Sequence, residues 1–215
     1  AAGVGYMAQR IHDGYPAPMV CNDIAPTALK MLRRLGMPTV SFDIDNEQSA
    51  FPFEDRSFDA VVSMVTVEHV INVDHHMAEI CRVLTEDGYL YISTPNYAAP
   101  EYILRVLLSG RTFHNPLWEG SRYEFYAHVR YFTYRTLVEY VTSFGFIPDS
   151  VYLALPGGSS RYRDLYDKAK WKALGYRYIR WLQFKVLPTG WATEPVLCFR
   201  RGDGHPRMKP RKVVL

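Results

Sequence analysis

The chain has 215 residues, 48% of them hydrophobic and 22% charged, with a formal net charge of +3. That length and apolar content exclude a disordered chain and fit one core, and so small a basic excess does not by itself call for nucleic acid. Cys21, Cys81 and Cys198 stand far apart with no C-x-x-C spacing, which argues against a disulfide framework or a zinc site and for a reduced, cytoplasmic setting. No apolar run approaches the roughly 18 residues that span a bilayer, and no basic region precedes an apolar stretch at the N-terminus as in a secretory signal.

In chain order, residues 3–12 read as a glycine turn and a first helix, with the strand that normally precedes such a turn missing. Pro18-Met19-Val20-Cys21 is a short strand ending at Asn22-Asp23. A helix opens at Ala25-Pro26, where proline suits the first turn, and stops at Gly36. Val40, Phe42 and Ile44 alternate as a strand. Asp59 to Val65 is a continuous apolar run of the kind expected for a central strand covered on both faces. Val73 to Leu84 is a helix by apolar spacing, and Gly88 to Ser93 is the next strand. Residues 96–132 read as an irregular aromatic lid. Thr133 caps a helix that Gly145 stops, and Ile147 to Leu155 is a strand. Arg161 to Lys185 is basic, aromatic and helical, with a break near Gly175. Pro195 to Phe199 is a last strand, and the basic tail is expected to fray. Alternating strands and helices predict an α/β fold with a mostly parallel sheet. One domain is expected over 1–200, with a lid at 96–132, a basic aromatic segment at 158–190 and a tail at 201–215.

Gly3-Val4-Gly5-Tyr6-Met7-Ala8 fits G-x-G-x-x-G/A, in which glycine lets backbone approach a ligand at a helix N-terminus. Asp23, eighteen residues after Gly5, stands where a carboxylate accepts both ribose hydroxyls. By itself this pair also fits a nicotinamide-dependent oxidoreductase. At Asp43-Ile44-Asp45 one of two carboxylates is placed to read an adenine amino group, and the sequence leaves open which. Glu68-His69 is the candidate catalytic pair, because imidazole can take a proton from a hydroxyl at neutral pH. Tyr97, Tyr102, Phe113, Trp118, Tyr123, Phe125, Tyr126, Tyr131 and Phe132 make the lid an apolar wall for an acceptor, or a satellite core. His75-His76 reads as exposed helix surface. The stretch 161–185 admits contact with a membrane surface or lipid-linked acceptor, with RNA, or a plain helix pair over the sheet, the last being favoured.

The block from Phe51 to Asn96 carries a family resemblance. It contains Phe51-Pro52-Phe53-Glu54-Asp55-Arg56-Ser57-Phe58-Asp59, Glu68-His69-Val70, Arg82-Val83-Leu84 and Ser93-Thr94-Pro95-Asn96. Further on stand His128-Val129-Arg130-Tyr131-Phe132-Thr133 and Gly145-Phe146. Together these resemble the class I, Rossmann-like, S-adenosylmethionine (SAM)-dependent methyltransferases, nearest to the O-methyltransferases of the ubiquinone-biosynthesis type. The resemblance implies a seven-stranded Rossmann-like fold and S-adenosyl-L-methionine as cofactor. It places Gly3, Gly5, Tyr6, Asp23, Ile24, Asp43 or Asp45 with Ile44, and Met64 and Val65 around that cofactor. It turns Glu68, His69, Tyr97, His128 and Tyr131 toward a small-molecule or glycan acceptor, with no nucleic-acid partner. The family's acid on the first strand would precede Ala1, and its first glycine matches Ala1. A second acid before the Glu-His pair is replaced by Val65, so no metal is expected. The other reading is a methyltransferase-like domain that binds a partner without catalysis.

Overall fold

The structure is a computed structural model that describes residues 1–215 except 16, 112–115, 118, 120–121, 123–125, 158–159 and 203–208, and except the side chains of 160 and 161. Four of the lid aromatics, Phe113, Trp118, Tyr123 and Phe125, therefore lie outside the described residues. Helix α1 (Tyr6–Gly14) follows Gly5 and leads to β1 (Cys21–Asn22), α2 (Pro26–Arg34) and β2 (Thr39–Val40). These make a two-stranded parallel sheet with a small core of Cys21, Leu32 and Met37. Both strands are shorter than their apolar patterns. Beyond them the Asn22 side chain takes over the ladder, donating to the Phe42 carbonyl (3.1 Å) and accepting the Phe42 N–H (3.0 Å).

The main sheet comprises β3 (Phe58–Met64), β4 (Leu84–Ser93), β5 (Phe146–Leu153), β6 (Val196–Arg201) and β7 (Arg211–Val214), in the order β3-β4-β6-β5-β7. The β3-β4 and β5-β7 pairs are parallel, and β6 runs antiparallel to both neighbours. Strand β3 is an edge strand among the described residues, not the covered central strand that its composition predicts. Ala60 and Val62 face solvent there. The tail is also more ordered than its composition implies, since 211–214 add β7 to the far edge of the sheet.

Helices α3 (Val73–Val83) and α5 (Tyr134–Thr142) cover the sheet. Met77, Ile80, Leu84, Leu90, Leu137, Phe146 and Leu197 bury almost all their surface between them, each contributing roughly 1.5–3 kcal/mol of apolar transfer. Thr133 caps α5 as predicted, in a reciprocal pair with Thr136. His76 is buried, contrary to expectation, because it lies three residues after Val73 on the inward face of α3. Burial holds its ring neutral by pushing its pKa down to about 4. The lid contains a regular helix, α4 (Pro100–Ser109), opened by Pro100 and closed by Gly110 at φ 63°. The basic stretch forms α6 (Ser160–Lys168) and α7 (Lys170–Val186). It breaks at Ala169 (φ −158°, ψ 77°), not near Gly175. Gly175 stays helical at a cost of about 1 kcal/mol because α7 is anchored on either side of it by buried Ala173 and Phe184.

Two of the most recognisable motifs interlock here. Arg82 pairs with both oxygens of Glu79 (2.9 and 2.8 Å), with Asp55 (2.7 Å), and with the carbonyls of Phe51 (3.0 Å) and Phe53 (2.9 Å). Glu79 also takes the Phe51 N–H at 2.6 Å. The P-F-x-D turn is thus bolted to α3 by one guanidinium whose donors are nearly all used, a geometry lysine cannot reproduce. Arg82→Ala is expected to lower unfolding free energy by about 2–3 kcal/mol, and Arg82→Lys to recover little of it, in urea denaturation. A loss below about 0.5 kcal/mol would mean that the turn is held by packing alone.

Candidate functional site

The first part of the site forms where α1 begins. Gly3 and Gly5 hold φ of 56° and 85°. A Cβ at Gly5 would fall 2.8 Å from Leu32 Cδ2, so glycine there lets the turn sit on α2. A Cβ at Gly3 would meet nothing within 4 Å, which leaves an open cradle above that peptide. Asp23, buried at the end of β1, accepts the Gly3 N–H at Oδ2 (2.8 Å) and the Ala25 N–H at Oδ1 (2.9 Å). Two backbone donors fix its carboxylate beside the cradle, and each oxygen retains a lone pair for a hydroxyl. Tyr6 and Ile24 flank this place with open faces.

The two acids after β2 separate in role. Asp45 accepts the N–H groups of Ile71 (2.9 Å) and Asn72 (2.6 Å), and its own carbonyl takes the Asn72 side-chain amide (2.7 Å). It therefore anchors the entry to α3. Asp43 is exposed and commits Oδ1 to the Asp45 N–H (2.9 Å), and Ile44 packs against the main core.

The second part forms at the end of β3. Met64 closes the strand, and Val65 follows at φ 49° with its N–H on the Ser93 carbonyl (2.9 Å). A β-branched residue in that conformation is strained by about 1–3 kcal/mol, and the strain turns the chain sharply into the short 3₁₀ helix Val67–His69. Glu68 points inward and is fully buried, and neither carboxylate oxygen has a hydrogen-bond partner. Burial pushes its pKa up from an ordinary 4.5. Its own backbone N–H, His69 and Thr94 pull the other way, and Glu194 adds to the rise.

Residues 127–130 return across this loop. Val129 and Arg130 both donate their N–H to the Glu68 carbonyl (2.9 and 3.1 Å), and the Arg130 side chain donates to the carbonyls of Val70 and Ile71. His128 is thereby set edge-on to His69, with ring centroids 4.6 Å apart. His69 Nδ1 lies 3.0 Å from the Ala127 carbonyl. A carbonyl only accepts, so Nδ1 carries the proton and Nε2 the lone pair of the neutral ring. His128 Nδ1 lies 2.8 Å from the Tyr97 hydroxyl, and the Tyr97 ring contacts Tyr102 and Tyr131 at 5.3 and 4.8 Å. The predicted residues Glu68, His69, Tyr97, His128 and Tyr131 thus converge. Glu68, His69 and His128 each offer one ligand atom within 4.8 Å of the others, a set able to hold a divalent cation. The spacing around Val65 hid this, because His128 arrives from a distant segment.

Asn96 went unmarked in the motif that contains it. Its amide donates to the carbonyls of Gly190 and Ala192 (2.7 Å each), and its Oδ1 accepts the Tyr134 N–H (2.8 Å). It ties the end of β4 to the start of α5 and to the segment after α7.

Comparison with known proteins bears on the fold that carries these residues. Residues 1–92 match the family described as a methyltransferase domain. Over 89 residues the chain is 35% identical to malonyl-acyl-carrier-protein O-methyltransferase of Geobacter sulfurreducens, covering 40% of this chain and 33% of that protein. Over 86 residues it is 34% identical to the mitochondrial arginine-hydroxylase NDUFAF5 of Homo sapiens, covering 40% and 24%. The matched region thus spans a third or less of these curated relatives. Among solved structures, a SAM-dependent methyltransferase of Thermotoga maritima superposes with a TM-score of 0.60 at 16% identity, covering 93% of this chain and 79% of that one. An S-adenosylmethionine-dependent methyltransferase of Mesorhizobium loti gives 0.57 at 15%, covering 94% and 88%. The chain has the fold of the class I SAM-dependent methyltransferases, and the match to the methyltransferase domain family covers its first 92 residues. Family and fold imply S-adenosylmethionine as cofactor. No helix among the described residues is long and apolar enough to cross a membrane.

The Glu68 environment has a measurable consequence. Because the folded state raises this pKa, its contribution is fully present below the unfolded value of 4.5 and is lost as pH rises through the folded value. Glu68→Gln is therefore expected to match the wild type in urea denaturation at pH 4 and to exceed it at pH 8. A variant less stable than wild type at pH 8 would mean that the carboxylate is ionised and held, as by a cation.

Proposed function

We propose that the chain transfers a methyl group from SAM to an oxygen of a small-molecule acceptor lying between His69, His128, Tyr97 and Tyr131. The observation that carries this reading is the His69 ring. The Ala127 carbonyl fixes its tautomer, and Nε2 is left as a proton acceptor beside His128, which is itself bonded to Tyr97. When bound, the cofactor supplies an activated methyl on a positive sulfur, so a positioned attacking oxygen needs little further activation. His69 takes the proton that the oxygen releases as its bond to carbon forms and the carbon–sulfur bond breaks. Tyr97 and His128, bonded to each other, orient the acceptor. Asp23 holds the ribose hydroxyls over the Gly3 peptide, and Asp43, not Asp45, reads the adenine, because Asp45 is committed to the α3 entry.

Calorimetric titration with S-adenosylhomocysteine separates these roles. Asp23→Ala is expected to weaken binding by roughly 1.5–3 kcal/mol, about tenfold or more. Asp43→Ala should weaken it less, and Asp45→Ala should lower the melting temperature with affinity nearly kept. Unchanged affinity in Asp23→Ala would overturn the cofactor site.

His69→Ala should lower turnover by about 10²–10⁴ while cofactor affinity stays within about twofold. The assay is repeated in chelator. Activity that survives chelator and falls in His69→Ala assigns the base, whereas activity abolished by chelator in the wild type makes His69 a metal ligand instead. Full activity in His69→Ala would remove it from the chemistry.

A further inference from the structure

The outward face of α7 is apolar, which inverts the usual arrangement of a surface helix. Ala173 and Phe184 turn inward and are buried. Trp171, Leu174, Tyr178 and Leu182 follow one another at helical spacing on the opposite side, and Ile179 and Val186 widen that stripe. Trp171 is 73% exposed, Ile179 63% and Val186 72%. The charge of the same helix is one-sided. It carries Lys170, Lys172, Arg177, Arg180 and Lys185 and no acid, a local +5 in a chain whose total is +3. Arg177 donates to the Pro156 carbonyl (2.8 Å), which ties the helix to the segment before α6, and Arg180 donates to Gln183 one turn on (2.9 Å). Lys170 and Lys172 flank the stripe, and Lys185 stands in line with it near the C-terminal end of the helix. Lys172 lies over the Trp171 ring at 5.4 Å and Lys185 over Trp181 at 5.8 Å.

We propose that α7 lies in the surface of an anionic lipid bilayer, with its apolar stripe among the upper acyl chains and its lysines at the headgroups. Tryptophan and tyrosine mixed with aliphatic residues, flanked by lysine stems that bury methylenes and keep the ammonium wet, match that interface. At 17 residues, with five charges, the helix lies along the surface and does not cross it. Charge also decides among occupants. A two-fold contact with a second copy would set +5 against +5. RNA would satisfy the lysines and some rings, but it offers no partner for Leu174, Ile179, Leu182 and Val186. An anionic bilayer complements both the charge and the aliphatic stripe. Contact of this kind does not depend on methyl transfer.

The test is co-sedimentation of the purified full chain with vesicles of phosphatidylcholine alone and of phosphatidylcholine containing about one-third phosphatidylglycerol, with circular dichroism on every variant. Binding to the anionic vesicles should exceed binding to the neutral ones by about tenfold or more and weaken with salt. The double variant Trp171→Ala/Ile179→Ala should abolish it with the spectrum unchanged, since neither side chain supports the inward contact. Lys170→Glu/Lys172→Glu should reduce it by about tenfold or more. A folded wild-type chain that stays in the supernatant with anionic vesicles overturns the proposal. So does undiminished binding by the tryptophan–isoleucine variant. A dimer in analytical ultracentrifugation that this variant dissolves would assign the stripe to self-association, and binding to poly-uridine RNA without vesicle binding would assign it to nucleic acid. Either result overturns the bilayer.

Discussion

The Glu68 carbonyl accepts two backbone N–H groups at once, from Val129 and Arg130, and the arrangement of the acceptor side depends on that junction. The segment from Val67 to Asn72 joins β3 to α3 with only one 3₁₀ turn of its own, so its remaining polar groups must find partners elsewhere. Asp45 takes two of its N–H groups, and the Arg130 guanidinium takes the Val70 and Ile71 carbonyls. Once the loop is clamped from both sides, His69 and His128 have no freedom to drift apart. The strained φ at Val65 is tolerated at this place because so many bonds over-determine the loop on its C-terminal side. The H-x-R-x-F-T motif can be read in the same terms. His128 enters the site, Arg130 closes the carbonyls, Phe132 packs on the core and Thr133 caps α5.

Much of the fold was legible because the punctuation is local. Pro26, Gly36, Thr133 and Gly145 each act within a turn of where they stand, and the helices they bound begin and end beside them. The misread elements share a different cause. Nothing near β3 in sequence reveals whether a strand lies on its other edge, and nothing in Arg211 to Val214 announces a partner in β5. His76 sits at an inward position of α3 while its chemistry suggests the surface. At Gly175 propensity was overridden by tertiary anchoring, and the break fell instead at Ala169.

The candidate site divides along the same line. Gly3, Gly5 and Asp23 are close in sequence, so their spacing alone put the glycine turn and the carboxylate together, and the Gly3 N–H bond to Asp23 joins them directly. The choice between Asp43 and Asp45 was not legible, because it turns on backbone donors at Ile71 and Asn72. The partner that fixes the His69 tautomer is a main-chain carbonyl, which no side-chain pattern encodes. Conversely, Arg82 and Asn96 stand in the most recognisable motifs yet serve architecture: one bolts a turn to a helix, the other ties three segments together.

The family match ends at residue 92, one residue before the end of β4. The half it covers holds the glycine turn, Asp23, both aspartates after β2 and the Glu68-His69 pair. Tyr97, His128 and Tyr131, which complete the cluster around His69, lie beyond it. Two of the relatives carry names as different as O-methyltransferase and arginine-hydroxylase, as expected when one fold hosts different functions. The residues beyond 92 also include α7. Its chain continues through Thr189–Trp191 into the Asn96 clamp and on to Glu194, whose charge reaches Glu68. Residues 170–194 thus connect the apolar outward helix to the surroundings of Glu68.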